Sequence, residues 1–296
     1  MRSVPEFDRA NSLNPLTMQS SFILRLLAAC WLLFPLHCNS SELCAEAIRS
    51  SPILQYSFST GGARYHLIGT IHIQTDRTDQ VIASILAACS NEKFFFEHWG
   101  KPPLSHRPGP RRWTPGTPET NARVKRIEAL LSETNLVIEI ASRKPGSTIR
   151  QGSIDATFFN SLQKIAAEVS ALEYPEDVAE RFLEVATYTM EEKLQILPER
   201  RQEEALRFID DVNAWHSADE ATLTEQFLKE CKKDEYSMGF CEIIVWQRNL
   251  TFAKSLCVER SMGRLNIVVV GYTHLIGPRS VQSAVMDNCS TRVESE

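Results

Sequence analysis

No stretch of this 296-residue chain is both long and apolar enough to cross a bilayer in the ordinary way. The best candidate, residues 22–36, is interrupted by Arg25, and the apolar residues after it fall well short of the roughly 20 that a spanning helix needs. There is no C-x-x-C pair, so a thiolate zinc site has no support. An excess of basic charge is also missing: 32 Lys and Arg stand against 37 Asp and Glu, a net charge of −5. That balance argues against nucleic acid as the main partner, and the one basic stretch, residues 101–112, is short and proline-rich. Wholesale disorder is excluded by ordinary proportions of hydrophobic (43%) and charged (23%) residues.

What is present begins with a leader. The apolar run after Arg25 has the length of a signal-peptide core, and Ser40 and Ser41 offer small residues for cleavage. Residues 1–40 are therefore expected to be a signal peptide and 41–296 a single exported domain, secreted or periplasmic. An uncleaved leader would make the N-terminal segment the only membrane contact. Of eight cysteines, Cys30 and Cys38 would leave with the leader. The remaining six, Cys44, Cys89, Cys231, Cys241, Cys257 and Cys289, permit three disulfides, with connectivity left open. Asn249-Leu-Thr and Asn288-Cys-Ser match the glycosylation pattern.

Strand signals lie at the two ends of this domain. Residues 53–59 and 63–68 flank Gly61-Gly62 as a hairpin, 93–97 form a short apolar strand ending in Glu97, and 265–270 read as a strand buried on both faces. Residues 78–89 and 121–132 have helical spacing, as do 155–168, and 169–173 are a short strand candidate. The segment 135–141 fits either a strand or a buried helical turn. Residues 101–118, with six of the fourteen prolines, form a loop of lid or insertion type. From 175 to about 263 the pattern is nearly all helix, with breaks near 197–198, 217–219 and 232–239, and a last helix covers 279–286. The expected fold is α+β: one central sheet joining residues near 70 to residues near 270, with surrounding helices and a large helical insertion at 175–263.

Three strands end in an ionisable residue. GTIH (69–72) and GYTH (271–274) are two Gly-x-x-His turns, and Glu97 closes the strand between them. Ligands of open sheets sit beyond the carboxyl ends of strands, and the glycines allow a sharp turn or a close approach. Two imidazoles and a carboxylate suit a divalent ion of unspecified identity, with His72, Glu97 and His274 as ligands and bound water attacking an amide or ester carbonyl. The same residues equally suit a metal-free pair working by acid and base. Thr70 and Thr273 add hydroxyls. Glu139 is the main rival to Glu97. Asp155 precedes a helix and is expected to be its N-cap, and Glu173 to cap or touch the next helix.

These motifs, with His274-Leu275-Ile276-Gly277, Gly152-Ser-Ile-Asp155, Ala171-Leu-Glu173 and Gln247-Arg248-Asn249 following in order, resemble the TraB/PrgY/GumN family, which includes the Tiki Wnt-inactivating proteases. The resemblance runs over residues 50–287. It implies a fold related to the ChaN and erythromycin-esterase proteins, with a central sheet of two similar halves, and a metal-dependent hydrolase or peptidase acting on a peptide or a small ester or amide. His72, Glu97 and His274 would form the catalytic site, with Arg248 beside it to hold a substrate carboxylate or oxyanion. One departure stands out: the family glutamate is commonly followed two residues later by aspartate, where this chain has Glu97-His98-Trp99. His98 is expected to point away from Glu97, as on a strand. The competing reading is a binding protein that sequesters a peptide or haem-like ligand in the same pocket.

Overall fold

The structure is a computed structural model that describes residues 40–109, 111–150, 152–186 and 198–290. The leader, Cys30 and Cys38 lie outside these residues. Among the described residues, no helix is long and apolar enough to cross a membrane.

Helix α1 (Ser40–Arg49) precedes the hairpin β1 (Gln55–Thr60) and β2 (Ala63–Thr70), whose turn places Gly61 and Gly62 at positive φ. A short strand β3 (Gln74–Thr75), helix α2 (Thr78–Cys89) and strand β4 (Lys93–Phe96) follow. After the proline-rich loop come α3 (Pro118–Ser142), β5 (Ile149–Arg150), α4 (Ile154–Lys164) and β6 (Glu168–Ala171). The helical block is α5 (Pro175–Val185), α6 (Pro198–His216), α7 (Glu220–Cys231), α8 (Glu235–Phe240), a π-helical turn at Cys241–Trp246, and α9 (Gln247–Glu259). Strand β7 (Leu265–Gly271), a 3-10 turn (Tyr272–His274) and α10 (Val281–Ser290) close the fold.

The sheet runs β1-β2-β7-β4-β6, with β1 antiparallel at one edge and the other four strands parallel. The last strand in sequence is thus the middle strand in space. Its near-continuous apolar run follows from that position, since helices cover both faces of a parallel strand and all seven of its residues are buried. Phe94, Phe95 and Phe96 fill the adjacent β4 and are almost fully buried. The expected α+β class, with a helical block between the last two strands of the sheet, is what the chain adopts. Residues 135–141 resolve as the end of α3.

Cys44–Cys89 joins α1 to α2, Cys231–Cys241 joins the end of α7 to the π turn, and Cys257–Cys289 joins α9 to α10. The proline-rich loop is strapped to the helical block. Gly109 N–H donates to Asp177 Oδ1 at 2.8 Å, Arg112 N–H to Glu180 Oε2 at 3.0 Å, and Leu104 N–H to Glu259 Oε1 at 2.7 Å.

The block carries one built-in cost. Asp211 on α6 is partly buried, and its Oδ1 lacks a hydrogen-bond partner among the described residues. Burial, only partly offset by Arg207, and the nearby Asp210, Glu204 and Glu230 raise its carboxyl from 3.8 to about 6. The folded state therefore holds a proton that the unfolded chain releases, and stability falls as pH rises through that window. Asp211→Asn should stabilise the protein by about 2 kcal/mol near pH 7.5 and by almost nothing near pH 3.5, as read from urea unfolding at both.

Candidate functional site

The parallel strands deliver their carboxyl ends to one edge of the sheet. Thr70 of β2 pairs with Gly271 of β7, and Phe96 of β4 pairs with Val269 of β7 and Ala171 of β6. His72, Glu97, Glu173 and His274 all lie within three residues of those ends, which is why residues so far apart in sequence meet. Arg248 comes from the first turn of α9, two residues after the π turn ends. π-helical turns are often found at functional sites because they shift the helix phase locally.

Glu97 is the hub. Its Oε1 accepts the Gly271 N–H at 2.7 Å, and its Oε2 accepts from Arg248 Nη2 at 2.6 Å. The Nε2 atoms of His72 and His274 lie 3.9 and 3.8 Å from the same Oε1. Burial favours the neutral carboxyl, but Arg248, the two histidines and the Gly271 N–H overcome it and hold Glu97 well below the usual carboxylate range. Arg248 also donates through Nε to Glu173 Oε1 at 2.7 Å, again through Nη2 to that oxygen, and through Nη1 to Ile244 O at 3.3 Å. Glu173 is fully buried, and burial pushes its carboxyl up against the pull of Arg248.

The two histidines differ. His274 is buried, and its Nδ1 lies 2.7 Å from Asn249 Oδ1, while Asn249 Nδ2 donates to Arg279 O at 2.7 Å. That second bond orients the amide with its oxygen toward His274, so Nδ1 carries the proton and Nε2 keeps its lone pair, 3.5 Å from Arg248 Nη1. Burial lowers His274 to about 3, so the ring is neutral. His72 adopts a left-handed backbone, φ 57°, uncommon for a non-glycine residue. Its Nδ1 lies 2.6 Å from Asp155 Oδ2. One side of the ring packs into the cluster, while 58% of the side chain remains open to the cavities. Burial opposes a charge on this ring, yet Asp155, its hydrogen bond and Glu97 outweigh it and raise His72 to about 9.

Several sequence expectations change here. The N-cap of α4 is Ser153, whose side chain accepts the Ala156 N–H, which frees Asp155 in the first turn to hold His72. Glu173 clamps Arg248 instead of capping a helix. His98 does not point outward: β4 stops at Phe96, so strand alternation no longer applies, and His98 lines a cavity of about 210 Å³ with His72, Glu97 and Asp155. Glu139 lies outside the cluster, paired with Arg143 on α3. Thr70 is buried and bonds Val270 O, an inter-strand role. Asn249 is 1% exposed and committed to His274, which leaves no room for a glycan.

His72, Glu97 and His274 do come together, but as placed they do not fit a divalent ion. Both Glu97 oxygens already accept an N–H, and the cation against that carboxylate is the Arg248 guanidinium, which never gives up its charge. A dication bound there would face that charge at contact distance. Among the described residues, no group of three or more His, Cys, Asp or Glu side chains has the arrangement of a metal site.

The family model of the TraB/PrgY/gumN family matches residues 114–288, more than half of the chain, and the chain belongs to that family. The match includes Asp155, Glu173, Arg248 and His274, and begins after His72 and Glu97. No curated protein and no solved structure matches the chain.

Proposed function

We propose that this protein is a hydrolase of esters or amides, peptides included, in which the Asp155–His72 pair works on the substrate by proton transfer. One observation carries this reading: the 2.6 Å pairing of His72 Nδ1 with Asp155 Oδ2, on a ring still open to a cavity. The other ionisable members of the cluster, Glu97, Glu173, Arg248 and His274, are buried. Asp155 fixes the ring orientation and, with Glu97 behind, keeps it protonated at neutral pH. His72 then gives a proton to the departing oxygen or nitrogen as water adds to the carbonyl carbon, and recovers one from that water. Glu97, Arg248, Glu173 and His274 form the buried, hydrogen-bonded base of the site. The three disulfides suit the oxidising compartment to which residues 1–40, read as a signal peptide, would deliver the chain.

The test uses panels of p-nitrophenyl esters and fluorogenic peptides. His72→Ala is expected to lower kcat/KM by about 10²–10⁴-fold, and Asp155→Asn by less, with the wild-type rate surviving exhaustive chelation. Unchanged activity in His72→Ala overturns the reading. Activity lost to a chelator and restored by a divalent ion would return His72, Glu97 and His274 to a ligand role. Absence of hydrolysis across both panels would favour the binding protein.

A further inference from the structure

His72 lines two cavities. On one side is the chamber of about 210 Å³, with Phe96, Trp99 and Val269 as its apolar wall and Glu97, His98, Ser153 and Asp155 as its polar lining. On the other is a cavity of about 450 Å³, bordered by Ile73, Asn135, Ile138, Glu139, Arg150 and Gly152. We propose that these are the two lobes of one substrate cleft with His72 at its waist: the inner lobe takes a single aromatic or branched apolar side chain, and the outer lobe takes the uncharged polar continuation of the same chain.

Size comes first. Sites for whole small-molecule ligands occupy roughly 300–1,000 Å³, so the inner chamber is too small for a complete cofactor of haem type and suits one substituent. Its wall is preformed. Trp99 packs on Phe159 with ring centroids 5.7 Å apart and on Phe96 at 6.1 Å, and Phe96 in turn meets Phe158 edge-on at 5.8 Å. The backbone just beyond Trp99 is tied down: Lys101 N–H donates to Val169 O at 3.0 Å, and Ala171 N–H to Lys101 O at 2.7 Å. Gly100 turns there at φ 117°, with a hypothetical Cβ only 2.8 Å from Val169 O. Rings held this way present a flat apolar surface without further ordering cost.

Chemistry agrees with size. His98 Nδ1 is buried and has no hydrogen-bond partner among the described residues. The ring that carries it lines the chamber, so a small turn of that ring would offer the nitrogen to a backbone amide of a bound chain. In the outer lobe the charges are already matched: Arg150 pairs with Asp76 and Asp79, and Glu139 pairs with Arg143. Its charged side chains thus already have partners, and the lobe offers hydrogen bonds more than a free charge to a ligand.

The proposal rests on the hydrolase reading only in calling the occupant a substrate, so binding tests it separately. N-acetyl amino-acid methylamides of glycine, leucine, phenylalanine and biphenylalanine would be titrated into the full chain by calorimetry. The phenylalanine compound is expected to bind at least about tenfold more tightly than the glycine compound, in keeping with the discrimination apolar pockets achieve. The biphenylalanine compound should lose that gain because the chamber closes behind one ring. Trp99→Ala should erase the phenylalanine preference and Trp99→Phe should keep most of it. Equal affinities for glycine and phenylalanine in the wild type overturn the cleft, and this size series decides the matter even if Trp99→Ala does not fold. A preference without any hydrolysis leaves the cleft standing and removes the hydrolase reading. Hydrolysis without a preference does the reverse.

Discussion

Arg248→Ala is expected to cost about 3–5 kcal/mol of stability near pH 7.5, because it removes the cation from a buried pair and leaves its carboxylates behind. Arg248 is 4% exposed, Glu97 9% and Glu173 0%. In the wild type, Glu97 is held ionised far below its usual range, so its contribution is present above the unfolded value of 4.5 and is lost only as pH falls through that depressed value. Without the guanidinium, burial is opposed at Glu97 only by the two histidines and the Gly271 N–H, so both carboxyls rise and folding of the variant favours proton uptake. The deficit should therefore shrink as pH is lowered from about 7.5 to about 5, measured by urea unfolding at each pH. Glu173→Gln should cost less than Glu97→Gln, since burial already pushes Glu173 toward its neutral form. Arg248→Lys keeps the charge but loses the fork that reaches Glu97, Glu173 and Ile244 O together, and should fall between alanine and wild type. An Arg248→Ala protein that unfolds like the wild type at both pH values would show that the cluster does not hold the fold.

The sheet was legible in the sequence because its strands obey local rules. Gly61-Gly62 between two strand patterns marks the hairpin, residues 78–89 keep helical spacing, and β7 is apolar throughout because it lies in the middle of the sheet. The π turn was not legible. Residues 243–246 form an apolar run whose spacing reads as ordinary helix, and nothing in it announces a change of phase. Residues 135–141 were ambiguous because a short apolar cluster on a half-exposed helix looks like a strand until its neighbours are known.

The site divides in the same way. His72, Glu97 and His274 could be read because each follows a strand and the sheet brings strand ends together. Their supporting partners come from helices and turns elsewhere, and sequence spacing says nothing about which helix start faces which strand end. Asp155 had one usable signal: Ser153, two residues earlier, is itself an N-cap residue, so the aspartate was free for another task. Asn249 was masked by its sequon. His98 was misplaced because alternation was carried two residues beyond the true end of β4.

The recurrence of Gly-x-x-His yields the second large prediction. A Cβ on Gly271 would lie 2.5 Å from His72 Nε2 and 3.5 Å from Glu97 Oε1. A Cβ on Gly69 would meet Leu275 Cδ1 at 3.0 Å and Tyr272 Cα at 3.2 Å. Each glycine thus makes room for residues at the other motif, and the two substitutions should fail in different ways. Gly271 has φ −54° and ψ 140°, which alanine adopts without strain, so Gly271→Ala leaves the strand intact and displaces the His72 ring. His72 cannot yield without losing Asp155, because Asp155 holds the opposite side of that ring. A shift of about 1 Å in a reacting group can cost about 10²-fold. Gly271→Ala should therefore lower kcat/KM by about that factor while its melting temperature stays near that of the wild type. Gly69→Ala presses on the Tyr272 backbone in the packed core and should instead cost about 1–3 kcal/mol of stability, with activity per folded molecule much less affected. If Gly271→Ala keeps full activity, His72 is not the group that meets the substrate, and the pairing of the two motifs serves packing alone.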